Sequence, residues 1–283
     1  MVHHARDHPS ALLTFASSIA ATGLRRPLRL PRWLVVSALV ARPFAAARLL
    51  PPGRVRSYAT FLAHMWSYLN AFELPHDDHS AQRARLRIHY VAKADRLLGA
   101  GCVPGARLQR LRARPRPAAL LDRSLGATYF AWSAERHAAL VWLLWRHRES
   151  FGRAATRVSA TFDLALVAQA IVPTAPPWYA AKYGHLQDPL RRVTVDASRA
   201  LPMVPERTSD EAEEANPWAS MPSAHFATAA MIALSLGEAD RRAGALGAVY
   251  LLALAIALLY LGEHYLIDLL AGAALVGGLR AFI

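Results

Sequence analysis

The sequence predicts an all-α membrane protein, a polytopic bundle of about six transmembrane helices with additional amphipathic helices on the membrane surface. Three observations predict this class. The composition is 54% hydrophobic, which is too apolar for an ordinary soluble domain. Long apolar runs recur along the chain, separated by polar or basic segments. No segment suggests a strand-rich domain, an internal repeat or a low-complexity linker.

The charge balance is strongly basic, with 33 Lys and Arg residues against 20 Asp and Glu residues and a net charge of +13. Such a balance indicates an anionic partner, and the apolar runs favour membrane lipid headgroups over nucleic acid. A nucleic-acid partner is not predicted, because neither stacking aromatics nor a recognition helix accompanies the arginines. The single cysteine, Cys102, excludes an internal disulfide.

The amino-terminal residues 1–55 are predicted to form a basic segment that lies on the membrane surface. Arginines interrupt their short apolar runs, as in amphipathic helices at the lipid boundary. The run 33–50 is long enough for a span, but Arg42 and Pro43 in its middle would make that span costly. A true span at 33–50 and a disordered basic tail are the alternatives. Residues 56–283 then form the transmembrane domain.

The transmembrane domain is predicted to contain six spans. They lie at about residues 58–74, 127–145, 155–173, 223–236, 243–261 and 265–279. The last three are rich in Ala and Gly, which allows close helix packing. Glu135 and Arg136 fall inside the second span, so we expect them to pair or to face the bundle interior.

Two connecting segments also carry predictions. The alternation of Leu and Arg within residues 83–123 predicts an amphipathic helix on the membrane surface. Residues 174–179 are too rich in proline for a helix and are expected at the membrane boundary.

Six spans place both termini on one side of the membrane. The short basic loops at 146–157 and 238–242 share that side with Arg280, which makes it the cytoplasmic side. The predicted location is therefore the plasma or cytoplasmic membrane, with His225 and His264 on the outer face.

Three side chains carry the predicted chemistry: His225, His264 and Asp268. His264 and Asp268 are four residues apart, so a helix would place them on one face, one turn from each other. A carboxylate beside an imidazole fixes its tautomer and leaves the other nitrogen a better nucleophile. His225 follows Pro222-Ser223, a helix-start signal, where free backbone N–H groups favour an anion. Ionisable groups at the ends of membrane spans are costly, which indicates function, and the three together predict phosphoryl transfer.

The order of these residues resembles a known family. Pro222-Ser223-Ala224-His225, followed about forty residues later by His264-Tyr-Leu-Ile-Asp268, resembles the second and third motifs, P-S-G-H and H-x-x-x-D, of the type 2 phosphatidic acid phosphatase superfamily. Ala175-Pro-Pro-Trp-Tyr179 and Glu263-His264-Tyr265 resemble the branch of inositol phosphotransferases such as inositol phosphorylceramide synthase. The resemblance covers about residues 58 to 282 and is strongest after 174.

The resemblance implies a role for each matching residue. His264 would attack phosphorus and form a phosphohistidine, Asp268 would orient it, and His225 would serve as acid and then as base. Ser223 would donate hydrogen bonds to the phosphate. The family is usually metal-independent, so neither a metal nor a cofactor is expected. A divalent metal site at His225, His264 and Asp268 is the alternative, since such side chains bind these ions.

The chain departs from the family at two cationic positions. The first motif, K-x6-R-P, has no match, and Ala257 and Leu258 stand where the third motif usually has Ser-Arg. The substitute phosphate-binding residues predicted here are Lys182, Arg191 and Arg192, with Trp178 and Tyr179 from the neighbouring motif. The other explanation, which we favour, is that the donor is a phosphodiester, which carries less negative charge to neutralise.

The predicted function is that of a membrane lipid phosphoesterase or phosphotransferase that acts through phosphohistidine. It would transfer a phosphoinositol or phospho-sugar headgroup from a phospholipid or polyprenyl phosphate to a lipid or glycan acceptor. The alternatives are a hydrolase of phosphatidic acid or polyprenyl (pyro)phosphate, and a non-catalytic protein that binds or moves lipids. The sequence makes no prediction of the oligomeric state.

Overall fold

The computed structural model describes residues 8–110, 115–201 and 216–283, and over these ranges the protein is all-α. The helices are α1 Pro9–Leu24, α2 Arg32–Leu49, α3 Arg54–Glu73, α4 His79–Ala84, α5 His89–Leu98, α6 Pro104–Gln109, α7 Pro115–Arg146, α8 Arg148–Ile171, α9 Pro177–Lys182, α10 Val193–Arg199, α11 Ala224–Ala239, α12 Arg241–Tyr260 and α13 Leu266–Phe282. A 3₁₀ turn, Leu74–Asp78, follows α3. In the described ranges the only strand-like pairing is a pair of isolated bridges, from Arg87 to Thr174 and from Thr174 to Ala219.

Helix α11 forms the centre of the bundle. It packs against α7, α8, α12 and α13, and most of its small side chains are buried. Met231 and Ile232 are fully buried within the main core cluster. The sequence allows this position because α11 is apolar all round, which is typical of a helix enclosed by others.

Glycine allows α11 and α12 to approach closely. A Cβ atom added at Gly244 of α12 would lie 2.4 Å from the Cα of Gly237 of α11, which no side chain could tolerate. These two helices are joined by a tight turn in which the Asp240 carboxylate accepts a hydrogen bond from the Ala243 N–H at 2.8 Å. At the interface between α11 and α12, glycine therefore allows the close packing that the small residues predicted.

The amino-terminal helices form a hairpin that packs on α3 through α2. Arg42 of α2 is fully buried, and its guanidinium donates to the Ser18 hydroxyl at 3.0 Å and the Thr22 hydroxyl at 3.0 Å, both on α1. The same guanidinium lies 4.2 Å from the centre of the Trp66 ring on α3. Helix α2 also continues through Pro43. Arg42, whose charge made a span at 33–50 costly, thus finds its hydrogen-bond partners inside the hairpin. The surface location of residues 1–55 stays a prediction.

Two predictions about connecting segments are wrong. The arginine-rich region 83–123 is not one amphipathic helix, because α4, α5, α6 and the start of α7 divide it. A turn with positive φ at Ala100 and Gly101 ends α5, and Pro104 begins α6. The Leu and Arg at positions 111 and 112 lie outside the described residues. Residues 177–182 do form a short helix, since Pro177 occupies its first turn, where its missing N–H costs nothing.

Each of the six predicted spans coincides with a helix, α3, α7, α8, α11, α12 and α13 in turn. Among the described residues, α12 alone is long and apolar enough to cross a membrane by itself, with a mean hydropathy of 2.2. The others are shorter or carry more charged residues, as α7 does at Glu135 and Arg136. The six-span arrangement therefore stays a prediction.

A buried carboxylate joins the amphipathic helix α5 to the start of α13. Asp95 is fully buried, and its Oδ1 accepts a hydrogen bond from the Ile267 N–H at 3.0 Å. Burial raises the pKa of Asp95 to about 6, and the nearby Asp268 adds to this shift. Because the folded-state pKa is above the unfolded value, protonation of Asp95 favours the folded state.

We expect Arg42→Ala to lower the free energy of unfolding by about 2–4 kcal/mol, because it opens a cavity beside Trp66 and leaves Ser18 and Thr22 without their donor. Denaturant unfolding in detergent micelles measures the change, and hydrogen exchange should show α1 opening first. The control is Arg48→Ala on the same helix, where the side chain is exposed and the expected change is below about 0.5 kcal/mol. Equal effects of the two substitutions would contradict a stabilising role for the Arg42 contacts with Ser18, Thr22 and Trp66.

We expect Asp95→Asn to change the pH dependence of stability. The stabilising contribution of protonated Asp95 is fully present below pH ~4 and is lost as the pH rises through about 6. The variant lacks this loss, so the difference in Tm between Asp95→Asn and the wild type should be a few degrees more favourable to the variant at pH 8 than at pH 4.5. Asp78→Asn is the control of opposite sign, because the Ala81 N–H holds the pKa of Asp78 below its usual value. Thermal unfolding followed from pH 4.5 to 8 tests this, and a Tm difference between Asp95→Asn and wild type that is independent of pH would contradict it.

Candidate active site

The chain enters α11 through a turn that also contacts α13. Ser223 is the N-cap residue, and its hydroxyl oxygen accepts a hydrogen bond from the Phe226 N–H at 3.3 Å. Its own N–H donates to the backbone carbonyl of Asp268 at 3.0 Å. Ser223 is fully buried, so its described bonds tie the first turns of α11 and α13 together. This geometry places His225 in the first turn of α11.

His264 lies just before α13, since the helix begins at Leu266. The expectation that His264 and Asp268 share one helical face is therefore wrong. They meet because Asp268 turns back to complete a capping box with Tyr265, in which its Oδ2 accepts from the Tyr265 N–H at 2.9 Å. The same oxygen lies 3.3 Å from His264 Nδ1.

The two imidazoles come into direct contact. His264 Nε2 lies 3.3 Å from His225 Nδ1, and the ring centroids are 5.4 Å apart. His264 is 5% exposed and Asp268 is fully buried, whereas His225 is partly exposed. The structure thus brings the three predicted residues together in the order carboxylate, imidazole, imidazole.

Ser220 is part of this cluster and was missed by sequence reasoning. Its hydroxyl donates to Asp268 Oδ2 at 2.5 Å and lies 3.5 Å from His264 Nδ1. Three donors, Ser220, Tyr265 and His264, therefore converge on one carboxylate oxygen. The sequence offered only a weak signal, a serine three residues before the capping Ser223.

Two aromatic side chains of α7 hold the His225 ring. Tyr129 stacks on it with centroids 5.2 Å apart and an interplanar angle of 27°, and the Trp132 centroid lies 4.1 Å away. Trp132 is fixed in turn because its Nε1–H donates to the Thr228 hydroxyl at 3.0 Å. Arg136, one turn further along α7, lies 4.4 Å from the centre of the Trp132 ring. The spacing of Tyr129 and Trp132 on one helix face was the signal that could have found them.

An ion pair braces the residue before His264. Arg192 binds Glu263 through two hydrogen bonds, from Nε to Oε1 at 2.9 Å and from Nη2 to Oε2 at 3.2 Å. Thr194 donates to Oε1 as well. Burial alone would raise the pKa of Glu263, but Arg192 and Thr194 hold it below its ordinary value. The Arg192 guanidinium also lies 4.1 Å from the centre of the Trp178 ring.

The other predicted phosphate-binding residues are placed differently. Trp178 and Tyr179 are buried, and the Trp178 N–H donates to the Gly262 carbonyl at 3.1 Å. Lys182 ends α9 with its ammonium 5.6 Å from the Tyr183 ring centre. Arg191 is exposed and pairs with Asp196 at 3.4 Å. The structure therefore groups Trp178 with Arg192 beside His264 and leaves Lys182 and Arg191 on the surface.

This arrangement has a defined chemical capacity. An imidazole whose Nδ1–H is held by a buried carboxylate presents Nε2 as a nucleophile or base. A second imidazole at 3.3 Å from that nitrogen can move a proton at the same place. In the ranges that the structure describes, no group of three or more His, Cys, Asp or Glu side chains is arranged to hold a metal ion.

The chain is similar to a known protein family over more than half of its length. A model of the PAP2 superfamily matches residues 89–282, a range that covers more than half of the chain and contains every residue of the cluster. The chain matched none of the curated proteins and none of the solved structures with which it was compared. The protein therefore belongs to the PAP2 superfamily, the type 2 phosphatidic acid phosphatase superfamily, whose members are phosphatases and phosphotransferases that act on lipid phosphoesters.

Proposed function

We propose that this protein is a membrane phosphotransferase in which His264 attacks the phosphorus of a lipid phosphodiester. The contact between His264 Nε2 and His225 Nδ1, at 3.3 Å, is the observation that carries the proposal. It brings a nucleophile and an acid within the reach of a single phosphoryl group. Admission of that group requires the two rings to separate by about the width of a phosphate.

The proposed reaction has two steps. In the first, the Nε2 lone pair of His264 forms a bond to phosphorus, the phosphorus–oxygen bond to the leaving alcohol breaks, and His225, protonated on both ring nitrogens, gives its Nδ1 proton to the departing oxygen. Asp268 stabilises the cationic imidazole through Nδ1. In the second step, His225 takes the proton from an acceptor hydroxyl, which attacks phosphorus and releases His264.

The charges around the site support a diester donor. A phosphodiester carries one negative charge, whereas a monoester approaches two. Arg192, the predicted cation beside His264, is committed to Glu263 in a two-point ion pair. Because this ion pair leaves less positive charge for a phosphate group, a diester donor fits the site better than a monoester. We therefore propose that the protein transfers a phosphoinositol or phospho-sugar headgroup and does not simply remove phosphate.

The inositol phosphotransferase branch is part of the proposal. The chain resembles this branch at Trp178 and Tyr179 in one motif and at Glu263 in another. The backbone N–H of Trp178 donates to the carbonyl of Gly262, next to Glu263, and Arg192 contacts both the Trp178 ring and the Glu263 carboxylate. A shared structural role for the two motifs supports the branch.

Exposed apolar side chains support the membrane location of the six-helix bundle. They line the outer faces of helices whose inner faces carry the core, as expected where lipid replaces water. Examples are Leu62 and Leu69 on α3, Leu164, Val167 and Ile171 on α8, and Leu246, Val249 and Leu252 on α12. The short basic loops at 146–157 and 238–242 support a cytoplasmic location for their own side, which would put His225 and His264 at the outer surface.

We expect His264→Ala and His225→Ala each to lower kcat by at least about a thousandfold, because one removes the nucleophile and the other the acid. The assay uses purified protein with radiolabelled phosphatidylinositol, a diacylglycerol or ceramide acceptor, and product separation. Labelled headgroup on the acceptor supports transfer, and labelled free headgroup supports hydrolysis. With a good leaving group such as 4-nitrophenol, His225→Ala should lose less activity than with a lipid alcohol. Near-normal turnover in either variant would contradict these roles.

We expect Ser220→Ala to lower kcat by roughly 10–100-fold with little change in KM, because Asp268 loses a donor that fixes it against His264. Ser235→Ala is the matched control, since the buried Ser235 hydroxyl has no hydrogen-bond partner among the described residues. Steady-state kinetics of both variants, compared at equal Tm, separate positioning from stability. A loss of activity in Ser235→Ala as large as that in Ser220→Ala would show that the effect is not specific to the cluster.

A further inference from the structure

A pocket of about 500 Å³ lies beside α5. Its volume falls in the range of pockets that bind small molecules. One wall is α5 with the turn that ends it, and the other wall is the segment after α9. Neither His225 nor His264 lines this pocket.

Basic side chains meet in the pocket from both walls. His89, Lys93 and Arg96 follow one another at helical spacing along one face of α5. His185 comes from the opposite wall, and its ring meets that of His89 edge to face with centroids 5.3 Å apart. Each of these side chains can donate hydrogen bonds to an anion.

The acceptors near this cluster engage Arg96 and leave Lys93 open. Arg96 Nη1 donates to Asp188 Oδ2 at 3.2 Å and to Gln187 Oε1 at 3.1 Å, which fixes its guanidinium at the rim. The Lys93 ammonium is exposed and has no hydrogen-bond or ion-pair partner among the described residues. The pocket therefore keeps a net positive charge that its own side chains do not neutralise.

The surroundings of the pocket favour a ligand that is partly apolar. Leu97, next to Arg96, is 75% exposed, so an apolar surface adjoins the basic one. Phosphate groups accept charge-assisted hydrogen bonds from lysine, arginine and histidine. A lipid headgroup presents a phosphate beside acyl chains, and a free phosphoanion presents the same group alone.

The pocket and the start of α13 contact different faces of α5. Asp95 lies on a different face of α5 from Lys93 and binds the Ile267 N–H of α13. We infer that the pocket between α5 and the segment after α9 is a second anion-binding site, which takes a phosphate group through Lys93, Arg96, His89 and His185. This inference does not depend on the roles proposed for His225 and His264.

The test reads the pocket itself through its histidines. Protein labelled with ¹³C-histidine is prepared in detergent, and His89→Gln and His185→Gln assign the two ring signals. Sodium phosphate, titrated at constant pH, should shift both signals saturably. In Lys93→Gln the apparent affinity should fall about tenfold, because the ammonium is the unneutralised charge of the site. Arg83→Gln, which removes an equal charge from an exposed position on α4, should leave the titration unchanged.

A second arm distinguishes the two sources of phosphate. The labelled protein is placed in nanodiscs of phosphatidylcholine, with and without about one fifth phosphatidic acid, at the same pH. Shifts of both assigned signals with phosphatidic acid identify a lipid headgroup as ligand, and shifts with soluble phosphate alone identify a free phosphoanion. Signals that move in neither arm, or a Lys93→Gln titration equal to that of the wild type, would overturn the inference.

Discussion

The candidate site depends on one buried oxygen atom, Oδ2 of Asp268. It accepts hydrogen bonds from the Ser220 hydroxyl and the Tyr265 N–H, and it lies within 3.3 Å of His264 Nδ1. The bond to Tyr265 begins helix α13, so the group that orients the imidazole also sets where the helix starts. A substitution at Asp268 would therefore alter local folding and chemistry together, which makes Ser220 the cleaner probe of the cluster.

Patterns of apolar residues and short motifs predicted much of this protein. The all-α class and the superfamily are confirmed, and a helix forms at every predicted span. The motifs predicted that His225 and His264 would lie close together, but they did not predict that His264 would precede its helix. His264 precedes its helix because the cap at Tyr265 determines the start of α13, and capping depends on side-chain geometry that apolar periodicity does not record. The contacts of Tyr129 and Trp132 with His225 were missed for a related reason, since they join separate parts of the chain.

Charged side chains in the bundle are held by partners that lie far away in the sequence. Arg42 was read as an obstacle to a span, but in the structure the hydroxyls of α1 satisfy it. Arg192 was predicted to bind phosphate, and in the structure it forms an ion pair with Glu263. In both cases the sequence showed that a cation would need a partner, but it did not show which residue that partner would be. A buried cation must find acceptors, but the chain can supply them from any neighbouring element.

The contact between the imidazoles has a consequence for where their protons lie. An ionised Asp268 can only accept hydrogen bonds, so His264 must donate to it from Nδ1 and keep Nε2 as an acceptor. His225 then donates to that nitrogen from Nδ1, so the two bonds form a directional chain from His225 to the carboxylate. This chain fixes the tautomer of His264 and directs the Nδ1 proton of His225 at His264 Nε2. In the proposed reaction this hydrogen bond must break before His264 can attack, and the hydrogen that covers the Nε2 lone pair is the one that His225 then gives to the leaving alkoxide.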